Sequence, residues 1–104
     1  MELTEFASLL ETETKLPVAY HHYDDPPTLP YLVYYVMDRE DVRADDTAFV
    51  KVNDLAVELY SEHKDLSAEQ AIESFFDSHE IGYLTQETYL DDEKMYERIY
   101  TLEI

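Results

Sequence analysis

Apolar residues recur at helical spacing in two places along this chain. The first set predicts a short amphipathic helix over about residues 2–12, which ends before Pro17. The second set predicts a helix over about residues 68–78, where Ser67 and Gln70 match a capping box and Leu66 is placed to staple the helix start. The second helix has this apolar stripe: Ala68, Ala71, Ile72, Phe75 and Phe76.

Shorter apolar runs between the two helices predict three strands. Residues 18–23 form the first, and the prolines that follow make residues 24–30 a loop. Residues 31–37 are apolar or aromatic on both faces, which is typical of a central or covered strand. Residues 48–60 form a long strand whose apolar parity changes, and this predicts a β-bulge near Asn53 and Asp54.

The end of the chain reads as a hairpin, with strands at 82–90 and 95–104 and a turn at 91–94. The predicted order is therefore α-β-β-β-α-β-β. This order indicates one α+β domain over residues 1–104, with two helices packed on one face of a mainly antiparallel sheet. The charged connection at 38–47 is predicted to be a projecting acidic hairpin loop.

The charge of the chain is strongly one-sided, with 25 acidic residues, 7 basic residues and a net charge of −18. Such a surface repels nucleic acid and anionic membranes. This excess of negative charge is consistent with high solubility or with adaptation to high salt. It is equally consistent with a surface that must not adhere to DNA. The chain has no cysteine, secretion signal or membrane-length apolar run, so we expect it in the cytosol or in an assembly built there.

Candidate chemistry is sparse. The only ligand-like cluster is the run from His21 to Asp25, but adjacent strand residues point to opposite faces, so His21 and His22 do not readily share a metal ion. Paired aspartates recur too often to indicate acid–base catalysis, and the single glycine excludes a phosphate-cradling loop. The sequence therefore predicts no enzyme, with no catalytic residue, cofactor or metal.

Several segments, taken in order, resemble the tail-completion or tail-terminator proteins of long-tailed bacteriophages (siphophages), which are head–tail joining proteins. The resemblance covers most of the chain. The segments are KLPVAY at 15–20, the proline-rich loop before YLVY at 31–34, VELY at 57–60 with Lys64 and Asp65, and the closing hairpin with EKMY at 93–96 and RIY at 98–100.

The resemblance implies a structural role in the neck of a virion, assembled in the host cytoplasm. Members of this family form hexameric rings at the head-proximal end of the tail tube. There they stop tube growth and join the tail to the head connector or stopper protein. The implied partners are further copies of the chain, the tail-tube protein and the connector, with DNA passing through unbound and no membrane contact.

Two groups of residues are candidates for contacts in such a ring. An acidic lumen would repel DNA phosphates, and the two arginines of the charged connection are candidates to pair with acidic residues of an adjacent subunit. The lumen or inter-subunit candidates are Asp38, Arg39, Glu40, Asp41, Arg43, Asp45 and Asp46. The interface candidates are Tyr31, Tyr34, Tyr35, Tyr96 and Tyr100.

A second function class stays open at this point. An acidic inhibitor that mimics DNA and occupies a nucleic-acid-binding protein would also carry this charge. It would be a monomer or dimer, and it would bind a basic partner tightly at low salt and loosely at high salt. The oligomeric state and its response to salt therefore separate the two classes.

Overall fold

The computed structural model describes residues 1–44 and 48–104, with side-chain detail outside residues 39–51. It confirms the α+β class and the order α-β-β-β-α-β-β. The elements are α1 (Leu3–Thr14), β1 (Val18–Tyr20), β2 (Tyr31–Ala44), β3 (Ala48–Ser61), α2 (Leu66–Ser78), β4 (Tyr83–Leu90) and β5 (Met95–Glu103).

The strands form one sheet in the order β1-β2-β3-β5-β4, so β3 is central. β1 runs parallel to β2, and every other neighbouring pair is antiparallel. The core lies between one face of the sheet, which we call the helix-bearing face, and the two helices. It consists of Phe6, Leu10, Leu32, Tyr34, Leu55, Val57, Leu59, Ala68, Ile72, Phe75, Phe76, Tyr100 and Leu102.

Helix α2 begins differently from the sequence-based prediction. Its N-cap is Asp65, whose carboxylate accepts a 3.0 Å hydrogen bond from the backbone N–H of Ala68. The predicted capping box at Ser67 and Gln70 is therefore wrong. The predicted staple is also wrong, because the side chain of Leu66 is 69% exposed. A carboxylate at this position satisfies a free N–H and also interacts favourably with the helix dipole, so Asp65 outcompetes the later serine.

A β-bulge is present at the predicted level of the sheet but on the other strand. Val36 lies opposite Leu55, whereas Asp38 lies opposite Asp54, so Met37 is the extra residue and belongs to β2. The prediction that placed the bulge at residues 53–54 of β3 is wrong. β3 passes this level with no extra residue, so the change in its apolar parity reflects a change in which face of the strand is apolar and does not by itself indicate a bulge.

Strands β2 and β3 continue well past the rest of the sheet. Residues 38–44 pair with residues 48–54, whereas β5 pairs with β3 only from Asp54 to Ser61. The result is a two-stranded ribbon, about 20 Å long at the usual rise per strand residue. The connection predicted as a loop at 38–47 is thus strand as far as Ala44. Asp45 and Asp46 lie outside the described residues.

Candidate interaction surface

The second face of the sheet, which we call the open face, lies opposite the two described helices. It is formed by the alternate strand positions that do not contribute to the core. Its residues are Ala19, Tyr31, Val33, Tyr35, Ala56, Glu58, Tyr60, Leu84, Gln86, Thr88, Glu97, Ile99 and Thr101. The open face is therefore rich in apolar and tyrosine side chains.

Tyrosines line one end of the open face. The rings of Tyr31 and Tyr60 lie side by side on neighbouring strands, with centroids 5.5 Å apart. Tyr23 extends this row from the loop before β2, because its ring lies 5.0 Å from Tyr31. Its hydroxyl donates a 3.0 Å hydrogen bond to the carbonyl oxygen of Leu32, which fixes the ring in place. Such rigid rings with polar tips are typical of protein interfaces.

Two carboxyl groups meet on the open face beside these rings, and we call Glu58 and Glu97 the carboxyl pair. The hydroxyl of Tyr60 donates a 2.8 Å hydrogen bond to Glu97 Oε2 and lies 3.3 Å from Glu58 Oε1. Glu58 is only 9% exposed, although it points away from the helices. An acidic side chain with this little exposure needs a partner or a proton.

The carboxyl pair holds a proton near neutral pH. Burial raises the pKa of Glu58 to about 7, the hydrogen bond and charge of Glu97 add to the rise, and the hydrogen bond from Tyr60 opposes it. Burial also raises the pKa of Tyr35, with further contributions from the charges of Glu58 and Glu97. Two adjacent carboxyls with restricted solvation cannot both ionise freely, so the second proton of the pair is lost only at a higher pH.

The described strand positions around the carboxyl pair contain no basic residue. Among the described strand positions of the open face there is no lysine, arginine or histidine, and Asp54 and Glu103 continue the face at one end with two more carboxylates. The described strand positions of the open face therefore carry negative charge and tyrosine hydroxyls, and His21, just after β1, lies beside this face with its ring centroid 5.5 Å from that of Tyr35.

On the helix-bearing face, by contrast, acidic side chains are paired with basic ones. Lys64 Nζ lies 2.7 Å from both Glu69 Oε2 and Glu87 Oε1. Arg98 Nε lies 3.3 Å from Glu69 Oε1, and an Arg98 terminal nitrogen lies 3.6 Å from Glu87 Oε1. The guanidinium also sits 5.7 Å from the centre of the Tyr100 ring. Charges of alternating sign thus connect the start of α2 to β4 and β5, which identifies a structural network.

Replacing Arg98 by methionine should destabilise the subunit. The change leaves Glu69, whose side chain is only 10% exposed, and Glu87 with Lys64 alone. We expect the free energy of unfolding to fall by about 1–3 kcal/mol, less than for a fully buried pair because the network is partly solvated. Urea unfolding followed by circular dichroism measures the change. Lys94→Met, in the exposed turn before β5, is the control, and an equal loss there would refute the role of the network.

The five tyrosines predicted as interface residues divide into three groups. Tyr31 and Tyr35 lie on the open face. Tyr96 is half-buried on the helix-bearing face, with its ring centroid 4.9 Å from that of Tyr89. Tyr34 and Tyr100 are 8% and 0% exposed and belong to the core, so they are corrected here from interface to core residues. In the sequence, Tyr34 is two residues after Leu32 and Tyr100 is two residues before Leu102. Strand alternation therefore places both tyrosines on the same face as these core leucines.

Five of the seven charged candidates are residues of β2. Asp38 is exposed at the base of the ribbon. The next four occupy paired positions of β2: Arg39, Glu40, Asp41 and Arg43. Sequence reasoning missed Glu58, Tyr60 and Glu97. The sequence feature that could have pointed to this site is the acidic Glu58, which stands between the apolar Val57 and Leu59 in a predicted strand.

The histidine cluster does not form a metal site in the described part of the chain. His22 Nε2 lies 3.2 Å from Asp24 Oδ1 in an exposed ion pair. Across residues 1–44 and 48–104, no three histidine, aspartate or glutamate side chains converge as metal ligands do. Neither of the two described helices has the length and apolar character that crossing a membrane requires.

Comparison with known proteins finds the fold in a virus-like particle. No protein-family model matches this sequence, and no curated protein matches it either. The structure is similar to a chain of the solved "Virion of native gene transfer agent (GTA) particle", with a TM-score of 0.64 and 14% sequence identity. The match covers 90% of this chain and 81% of that chain. At this identity the likeness shows that the two chains share a fold.

Proposed function

We propose that this protein is a structural protein of a virion and has no catalytic role. It forms a ring at the head-proximal end of a tail tube, ends tail growth and joins the tail to the head connector while DNA passes through. The observation that carries the proposal is the fold shared with a chain of a gene transfer agent virion over 90% of this sequence. That observation agrees with the resemblance of the sequence to tail-terminator proteins.

Two surfaces of the subunit support an assembled state. Within the described residues, the open face has no covering layer, and residues 48–52 of the ribbon pair with β2 alone. A two-stranded ribbon is only marginally stable by itself, and an uncovered tyrosine-rich sheet face is typical of a contact surface. Packing against neighbouring subunits would cover both surfaces.

The charge of the subunit supports a role around DNA without binding it. With a net charge of −18, a ring of several copies would surround its lumen with a negative potential. Phosphates would be repelled from the wall, so DNA could move through with little adhesion. The acidic candidates on the ribbon are the residues we propose for the lumen or for the contact with a neighbour.

The assembly is tested by measuring mass with light scattering, first for the protein alone and then with purified tail-tube protein. Discrete rings, or discrete complexes with the tube protein, are expected. A persistent monomer that ignores the tube protein would overturn the proposed function. If that monomer bound a basic nucleic-acid-binding protein instead, the DNA-mimic class would take its place.

Salt should strengthen ring formation rather than weaken it. Because every subunit carries −18, like-charge repulsion opposes association, and raising the ionic strength from about 0.01 M to 0.15 M shortens the Debye length from about 30 Å to 8 Å. We expect the oligomeric fraction to rise over this range in sedimentation velocity. A DNA mimic bound to a basic protein would show the opposite trend, with complexes dissociating as salt increases.

A further inference from the structure

We propose that the outer edge of β4 is a docking site for β4 of a second copy of this chain. The two strands pair antiparallel across a two-fold axis, with Gln86 of each copy at the axis, and join two five-stranded sheets into one. This inference goes beyond the proposed ring, because it concerns the free protein and an edge of the sheet to which the ring assigns no contact.

Strand β4 is a regular edge strand whose outer backbone groups are free. It pairs with β5 over its whole length, Tyr83–Leu90, without a bulge, and no strand of the sheet lies on its other side. Among the described residues, no side chain or other backbone group bonds to that outer side. Residues 84–89 are all exposed. Such a row of N–H and C=O groups is a template for pairing with another strand.

The opposite edge of the sheet is closed by side chains. β1 is only three residues long, and the N–H of Val18 donates a 3.1 Å hydrogen bond to Glu11 Oε2. Further along β2, the N–H of Val36 donates a 3.3 Å hydrogen bond to the hydroxyl oxygen of Tyr20. These side chains occupy donors that an added strand would need. The subunit therefore protects this edge and leaves the edge at β4 open.

The residue types of β4 also leave its edge unprotected. Natural edge strands often carry lysine or other charges, proline or a bulge, which prevent pairing with other chains. β4 reads YLTQETYL, and its one charge, on Glu87, is balanced by Lys64 at 2.7 Å and by Arg98 at 3.6 Å. The ribbon strands, by contrast, carry charges, since residues 38–44 read DREDVRA and residues 48–52 read AFVKV.

The charge distribution favours a second copy as the occupant. Because each chain carries a net charge of −18, two copies repel each other wherever their acidic surfaces meet. Repulsion is smallest at β4, whose only carboxylate is already paired with Lys64 and Arg98. A basic strand from another protein would gain nothing from this uncharged edge and would be attracted to the acidic surfaces instead.

The sequence of β4 is self-complementary in one register. A two-fold axis perpendicular to the sheet keeps each face on its own side, so residues of equal parity lie opposite each other. With Gln86 at the axis, the cross-strand pairs are Leu84 with Thr88 on one face and Tyr83 with Tyr89 on the other. Aromatic pairs and apolar contacts of this kind stabilise neighbouring strands.

Neighbouring registers are less favourable. With Gln86 at the axis, Glu87 lies opposite Thr85 of the second copy, and residues 83–89 all pair. A register centred on Glu87 would place two carboxylates directly opposite each other, which is destabilising. A register centred on Thr85 would pair only residues 83–87. The longest pairing without facing like charges is therefore the one centred on Gln86.

Charges placed at the axis test the pairing. Gln86→Lys puts two lysines opposite each other, so we expect the dimer to weaken by about fivefold or more in sedimentation velocity at about 0.15 M salt. Gln86→Glu should weaken it similarly, whereas a mixture of the two variants should dimerise, because lysine then faces glutamate. Ser8→Lys, at an exposed position of α1, changes the net charge by the same amount as Gln86→Lys and should dimerise as the original protein does. Thermal unfolding checks that each variant is folded.

Disulfide trapping tests the register, because the chain has no cysteine of its own. Gln86→Cys should form a covalent dimer on oxidation, since facing Cβ atoms of paired strands lie about 5 Å apart. Leu84→Cys and Thr88→Cys should each form little dimer alone, because each cysteine is displaced from its own copy by about 13 Å along the strands. A mixture of these two variants should form a covalent heterodimer, because positions 84 and 88 face each other.

The outcomes are separate from those of the proposed function. Cross-linking at the expected positions alone, with recovery of the dimer in the lysine–glutamate mixture, supports the pairing. A strictly monomeric protein, equal cross-linking at all three positions, or normal dimerisation of Gln86→Lys overturns it. If the protein is monomeric and Gln86→Lys abolishes binding of tail-tube protein, the edge binds that protein and the second copy is wrong. Failure to form rings with tail-tube protein overturns the proposed function and leaves a trapped dimer standing.

Discussion

Replacing Phe76 by alanine is expected to lower the free energy of unfolding by about 3–5 kcal/mol. Phe76 is fully buried in α2, with its ring centroid 5.0 Å from that of Tyr83 and 5.5 Å from that of Tyr100. The change removes apolar contacts and leaves a cavity that these two rings cannot fill from the sheet side. Since the total free energy of unfolding of a small domain is only about 5–15 kcal/mol, much of the stability would be lost.

Urea unfolding followed by far-ultraviolet circular dichroism measures this loss. Leu66→Ala is the matched control on the same helix, because Leu66 is 69% exposed and should change the free energy of unfolding by less than about 0.5 kcal/mol. Equal losses in the two variants would mean that α2 does not pack as described. The control also tests the finding that Leu66 does not staple the helix start.

Replacing Glu58 by glutamine should stabilise the isolated subunit at alkaline pH. The folded-state pKa of Glu58 is raised from 4.5 to about 7, so the protonated form is favoured by folding. Its contribution to stability is complete below about pH 4.5 and is lost as the pH rises through about 7. Allowing for partial solvation, we expect the glutamine variant to be more stable at pH 8 by about 1–2 kcal/mol.

The measurement is the difference in unfolding free energy between the variant and the original protein at several pH values. This difference should grow between about pH 5 and pH 8 and then level off. Glu62→Gln, at the exposed position just after β3, is the control and should give no such trend. A flat difference for Glu58→Gln would show that Glu58 ionises normally.

The element order was predictable from sequence, because each element carries its own repeat. The helical spacing of Phe6 and Leu10 and the stripe that ends at Phe76 are local signals, and local signals suffice for element type. The cap of α2 shows the limit of such signals. Asp65 and Ser67 are both good capping residues two positions apart, and only the backbone geometry at Asp65 decides between them.

The candidate site was much less predictable, because it depends on pairing between distant strands. Glu58 and Glu97 meet because β3 pairs with β5 in one particular register, and a shift of one residue would place them on different faces. The ribbon is a similar case. Its charged composition indicates a loop, and only cross-strand bonding to residues 48–54 makes it a strand. Side-chain alternation alone would have placed Tyr100 in the core, beside Leu102.

The central position of β3 has a consequence for synthesis. One edge of β3 pairs with β2, which precedes it in the chain. The other edge pairs with β5, which is synthesised only after α2 and β4. While the chain leaves the ribosome, this second edge stays unpaired until β5 has emerged. Unpaired apolar edges invite aggregation between nascent chains, and like charge opposes it. The acidic character of the subunit would thus protect it before any ring exists.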